Sequence, residues 1–314
     1  MTRSFPSPFL AAALVGASLL PAPAQPKAGS SAKAVALPVA LAYTQGTGVF
    51  VQAPNEPKAE RWVAADHAVD VRISPAGDAL ACTWDTTGKD FKGGPVRHIA
   101  VIDGKGATPR VLDAIPGNNS FGPTWSPDGT RLLFQHYVGR QWKIAVIGRD
   151  GRGFKDVLGP ERETAFLSHA CWAADGRSFY AFDFEFLYRF DLEGKELSRL
   201  AWTDCGLEIG SSSCQFRLSP DGQRMLVQAE IEVPDLKNDD YPSPVCFVLD
   251  LASKMAVRVS PKGMMLTAPE WLPDGSAFVA QRAEGKKASL VRVDLGTGKA
   301  TMLVPGGSWP SLAR

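Results

Sequence analysis

Five times along this 314-residue chain a glycine closes nearly the same phrase. The clearest copies are Pro123-Thr-Trp-Ser-Pro-Asp-Gly129, Phe216-Arg-Leu-Ser-Pro-Asp-Gly222 and Pro269-Glu-Trp-Leu-Pro-Asp-Gly275, with weaker copies ending at Gly77 and Gly176. The glycines are spaced by 52, 47, 46 and 53 residues, a period that belongs to propeller blades. A unit of this kind cannot bury its apolar face alone and must stack on its neighbours.

Each copy has a mechanical reading. Proline presets φ at the first central position of a type I turn, aspartate suits the second, and glycine supplies the left-handed residue that closes the hairpin. The flanking runs alternate or are continuously apolar, as strands are. Further strands follow most turns, for example Trp142 to Ile147 and then Phe154 to Leu158. Four antiparallel strands per unit are expected, with little helix. Residues 39–63 hold three strand-like runs without a turn phrase, and Ser308 to Leu312 looks like an inner strand cut off before its hairpin. Placing that last strand in the first blade closes the ring and removes its open edges. The expectation is therefore an all-β, six-bladed β-propeller of four-stranded antiparallel blades, at about 46 residues per blade.

The S-P-D-G turn after an apolar-Trp pair, with an aromatic-led strand ending in D-G, resembles the TolB-like (PD40, WD40-like) repeat. The resemblance covers residues 39–314. It implies a propeller of the cell envelope; TolB itself carries a separate α/β domain, which is not expected here, because only about 14 residues lie between the expected signal-peptide cleavage after Ala24 and the first strand.

The N-terminus has its own grammar. Arg3 precedes the apolar run Phe9 to Leu20, and Ala22-Pro23-Ala24 follows, the layout of a secretory signal peptide. The expected organisation is 1–24 signal peptide, 25–38 linker and 39–314 propeller. Twelve apolar residues are too few for a membrane span, which needs roughly 20. Beyond residue 24, lysine plus arginine and aspartate plus glutamate balance at 33 each (34 minus Arg3, against 33). A neutral chain lacks the field of a nucleic-acid binder. Export permits disulfides; of Cys82, Cys171, Cys205, Cys214 and Cys246, the pair Cys205 and Cys214 flanks a Gly/Ser-rich loop and is the expected bridge.

Aligning the inner strands on their glycines exposes two rows. Trp125, Trp172 and Trp271 stand four residues before the glycine and read as packing between blades. Five before stand Arg72, Thr124, Cys171, Arg217 and Glu270; seven before stand Asp70, Gly122, His169, Gln215 and Ala268. Asp70, Arg72, His169, Gln215, Arg217 and Glu270 are thus expected at the tunnel mouth, where they suit a small polar or anionic ligand or pair with one another. Two further stretches, 85–96 and 231–244, read as lengthened loops; the second offers Asp235, Asp239, Asp240 and Tyr241 to a partner.

No G-x-S-x-G, P-loop, Rossmann or calcium-loop pattern occurs. The four histidines, His67, His98, His136 and His169, form no metal-binding spacing. The expectation is an exported, monomeric, non-catalytic binding module of the periplasm or exterior, without cofactor or metal. It would engage an envelope protein or small polar ligand. The alternative is a propeller enzyme acting on a carbohydrate or lactone through His169 and the charged row, as the similar blades of oligogalacturonate lyases suggest.

Overall fold

The computed structural model describes residues 36–64, 68–89, 95–117, 119–139, 141–158, 167–236, 242–285 and 287–314. The signal-peptide expectation, with His67, Asp239, Asp240 and Tyr241, lies outside them.

Six four-stranded antiparallel sheets follow one another along the chain. Blade 2 starts at the inner strand Ala68–Ile73, blade 3 at Ser120–Trp125, blade 4 at Ser168–Trp172, blade 5 at Gln215–Leu218 and blade 6 at Met265–Trp271. Blade 1 is assembled from both ends of the propeller: Gly307–Leu312 is its inner strand, and Leu41–Gln45, Gly48–Gln52 and Ala59–Ala64 complete it. Leu41 faces Leu312 and Thr44 faces Ser308, so Tyr43 and Trp309 lie within the same ladder. Closure by the C-terminal strand leaves no inner edge open.

The turn phrase works as its residues predict. In each of the five copies the glycine N–H donates to the residue three before it, as from Gly129 to Ser126 at 2.8 Å. The glycine φ values run from 61° to 76°, a region in which a side chain is strained. The serine is the turn's second fastener: Ser126 Oγ donates to Asp128 and accepts from the Arg131 N–H.

Six buried apolar clusters fill the six interfaces between blades. Phe134 packs with Ala81 and Ile99 between blades 3 and 2; Phe182 packs with Phe216 and Val227 between blades 4 and 5. The core is a ring of seams, so every blade depends on both neighbours.

Three expectations need correction. Of the stretch 85–96 the described residues are strand: Leu80–Lys89 pairs with Pro95–Ile102, and Asp85 faces Arg97 with an ion pair of 3.2 Å between them, while 90–94 lie outside the described residues. The run at 154–158 contributes only Lys155–Asp156 to its sheet. Cys205 and Cys214 form no disulfide, and all five cysteines are free and buried. Cys205 lies in a 3-10 turn, Thr203–Cys205, with its thiol on the Ala201 carbonyl, while the intervening segment inserts Leu207 and Ile209 into the core. The short separation in sequence is used for burial.

Candidate ligand-binding tunnel

The inner strands bring one residue per blade to the axis: Ser311, Arg72, Thr124, Cys171, Arg217 and Glu270. All six line one narrow cavity of ≈ 60 Å³. Blade 5 is next to blade 6, and there Arg217 Nε donates to Glu270 Oε1 at 2.6 Å. From blade 2, Arg72 Nη1 reaches the same oxygen at 2.9 Å. The charged row therefore converges, and its centre is an Arg–Glu–Arg triad that is almost wholly buried. The carboxylate that two arginine forks would otherwise seek is supplied by the chain itself.

The triad leaves a remainder. Arg72 is 7% exposed and its Nε has no hydrogen-bond partner. Burial pulls its guanidinium down to about 10, the Arg217 charge pushes the same way, and Glu270 and Asp70 oppose them. For Arg217, burial also disfavours the charge, but Glu270 outweighs it and the group sits above its ordinary value. The difference follows the shorter bond from Arg217.

Indole N–H groups clamp this ring from outside. Trp125 Nε1 donates to the Arg72 carbonyl at 3.0 Å, Trp172 to Thr124 at 3.1 Å and Trp271 to Arg217 at 2.9 Å. Each bond joins a blade to the one before it, so the tryptophan row packs between blades as expected. Arg131 and Arg224 lie over the rings of Trp172 and Trp271.

The second row is built differently from a plain strand. In blades 1, 2, 3, 4 and 6 the ladder between the first two strands shifts by one residue. Trp309, Asp70, Gly122, His169 and Ala268 sit at these bulges with φ between 40° and 66°. For a residue other than glycine this costs about 1–3 kcal/mol and persists only where the surroundings enforce it. At four of the five a side chain from the preceding blade does so. The N–H of His169 donates to Gln135 Oε1, that of Ala268 to Gln228 Oε1, that of Trp309 to Gln281 Oε1 and that of Gly122 to Thr83 Oγ1.

Blade 5 is the exception, and its reason is visible. Six residues after the turn glycine stand Thr83, Gln135, Gln228 and Gln281, but Phe182 in blade 4. With no acceptor there, blade 5 has no bulge, and Gln215 pairs regularly with Gln228. Counting back from glycine therefore misplaces Gln215 by one residue: it corresponds to Thr267, not to Asp70 and His169. Its Oε1 is buried without a partner. The polar row six after the glycine was readable in the sequence and is what holds the mouth in shape.

His169 stacks on Phe182, with ring centroids 6.2 Å apart. Burial lowers its pKa to about 4; Asp70 opposes this, and Arg217 and Arg72 reinforce it. At neutral pH it presents an uncharged imidazole. Thr83 Oγ1 donates to Asp70 at 3.3 Å. Among the described residues no group of three or more His, Cys, Asp and Glu is placed to hold a metal ion. Asp235 is occupied within the chain, gripped bidentately by Arg258 at 2.6 and 2.8 Å and by the Gly263 N–H.

No protein-family model and no curated protein matches the chain. Solved structures do. TolB from Acinetobacter baumannii matches with a TM-score of 0.63 at 16% identity, over 88% of this chain and 66% of that one. The fold is that of a TolB-like propeller. A putative TolB from Agrobacterium tumefaciens matches with a TM-score of 0.61 at 14% identity, over 86% of this chain and 90% of that one. A chain of the nidogen/laminin complex matches equally well at 0.61 and 9% identity, over 88% and 98% of the two chains. At these identities the likeness to TolB is one of fold. Among the described residues no helix is long and apolar enough to cross a membrane.

Proposed function

We propose that this chain is an exported, monomeric, non-catalytic binding module of the cell envelope that engages a small polar ligand or an envelope protein at its tunnel mouth. One observation carries the reading: Arg72 is buried on the axis with a guanidinium nitrogen that the protein leaves without an acceptor. Buried polar groups in native proteins are almost always partnered, so a water or ligand atom belongs there. In this reading Asp70, His169 and Gln215, near the starts of the inner strands of blades 2, 4 and 5, supply acceptors and an uncharged imidazole. The signal-like layout of residues 1–24 and the TolB-like fold support the envelope as the place of action. Asp239, Asp240 and Tyr241, which follow Asp235 in the sequence, are the further recognition residues of this reading.

Two measurements test this. Mass spectrometry of the exported protein should give a mature N-terminus at residue 25. Affinity capture from envelope fractions should recover a partner or small molecule that is lost with Asp70→Asn plus His169→Ala, or with a glycine–serine replacement of residues 237–241. A partner retained by both variants removes the proposed recognition surface.

A further inference from the structure

Of the five bulges that shape the mouth, those of blades 1, 2, 4 and 6 carry Trp309, Asp70, His169 and Ala268, whereas that of blade 3 carries Gly122. Open space surrounds this glycine: beyond its two chain neighbours, no atom lies within 4 Å of where a side chain would begin. Blade 3 stands between the blades of Asp70 and His169, so the mouth has a notch flanked by a carboxylate and an imidazole. Thr83 joins two of its sides: its Oγ1 donates to Asp70 Oδ2 at 3.3 Å and accepts the Gly122 N–H at 3.1 Å. Phe121, next to Gly122, packs edge to face with Trp142, ring centroids 4.9 Å apart, and both residues are half-buried.

Neither sign of charge suits this notch. Arg72 and Arg217 disfavour a cation, as the uncharged His169 beside them records, and Asp70 disfavours an anion. These two guanidinium groups balance the carboxylates of Asp70 and Glu270, and Arg314 acts on Arg72 more weakly, from an exposed position. The surplus is in hydrogen-bond acceptors. A carboxylate has about four lone-pair sites, and among the described residues Asp70 receives one long bond, from Thr83, and no salt bridge. The His169 ring is hydrogen-bonded to the Ser212 backbone, and a neutral imidazole whose single N–H is so engaged offers its other nitrogen as an acceptor.

We propose that the notch at Gly122 binds a neutral saccharide, whose adjacent hydroxyls donate to Asp70 and His169 while an apolar face of the sugar ring lies against Phe121 and Trp142. Neighbouring hydroxyls offer two donors at once to the two oxygens of a carboxylate, whereas a peptide group offers one. A sugar ring also pairs its polar rim with a C–H face that suits an aromatic side chain. This inference names the ligand class of the binding module proposed above and rests on that reading.

The test screens the purified propeller on an array of neutral, uronate-bearing and amino oligosaccharides and measures each hit in free solution by titration calorimetry. The tightest hits should be neutral. Asp70→Asn keeps the side chain's size and suits its φ of 52°; it should weaken binding about tenfold, the loss of one charge-assisted hydrogen bond. Gly122→Asn fills the notch without removing a contact, at a φ of 66° that asparagine adopts, and should abolish binding. Met255→Ser, at an exposed position, should keep the affinity within about twofold. Melting curves report whether each variant is folded, and should one of the two notch variants fail to fold, the other decides. An array without neutral hits, tighter binding of uronates or amino sugars, or binding that survives a folded notch variant overturns the proposal. Capture of an envelope partner that depends on Asp70 and His169 would stand even with a blank array, so the ligand class and the binding module fail separately.

Discussion

The side-chain oxygen of Gln135 in blade 3 accepts the backbone N–H of His169 in blade 4 at 3.1 Å. His169 has φ of 40°, and without that bond its N–H would face the neighbouring blade unsatisfied. The same side chain donates to the Leu167 carbonyl at 2.8 Å, so one glutamine fastens both sides of the bulge.

Gln135→Leu should therefore destabilise the protein by about 1–3 kcal/mol, the cost of an unsatisfied buried donor. Gln228→Leu should behave alike, since it strips the Ala268 N–H. Urea denaturation followed by fluorescence reads both; losses under about 0.5 kcal/mol would show that the bulges hold themselves.

Glu270→Gln should cost more, about 3–5 kcal/mol, because it takes from two buried guanidinium groups the carboxylate they both bond and leaves only the field of Asp70. A triple variant, Arg72→Met, Arg217→Met and Glu270→Leu, removes the charges together and should recover most of that loss. Thermal unfolding of the single and triple variants separates a triad that fastens the axis from charges that merely tolerate one another.

How much of this was legible in the sequence depends on the range of the interaction involved. The S-P-D-G turns are local chemistry, so the blade count and closing strand follow from Gly77 to Gly275 and from Ser308 to Leu312. The tryptophan row was legible for the same reason, since repetition marks a packing position. The bulges were not. Counting back from a glycine assumes an unbroken two-residue alternation, and an extra residue at Asp70 or His169 breaks it. Gln215 was thus placed in the wrong row, and only Phe182, 33 positions earlier, explains why. The sharing of Glu270 by Arg72 and Arg217 spans 198 and 53 positions; it depends on the ring's radius, which no local pattern encodes. Cys205 and Cys214 failed in the opposite direction: closeness in sequence suggested a bond, whereas the segment between them buries Leu207 and Ile209 and both thiols are free.

Acid should act through His169. Its pKa is about 6.5 when unfolded and falls to about 4 in the fold, so between these values the unfolded chain binds a proton that the native one refuses. Stability is then full above pH 6.5 and declines as the pH drops toward 4. Asp70, Arg72 and Arg217 face this imidazole, and none is altered in His169→Asn. Melting temperatures from pH 7.5 to 4 should fall less steeply for that variant than for the wild type; parallel curves would refute the assignment.

Thiol chemistry offers a direct check on the cysteines. Burial pushes Cys82 and Cys246 up to about 12, and thiols in such surroundings react slowly. An aromatic disulfide reagent should label almost none in the native protein and all five in guanidinium. Three or fewer in the denatured, non-reduced protein would reinstate a bridge.

The pairing of Gly307–Leu312 with Leu41–Gln45 also sets an order of events during synthesis. The opening hairpin of blade 1 leaves the ribosome with one flank bare and must wait for nearly the entire chain before its complement emerges. Interlocking the two extremities is thus a late step, and contacts this distant form slowly. Until then the exposed flank can pair with any passing strand, so removing the final eight residues should yield a species prone to self-association even though five blades keep their full complement of strands.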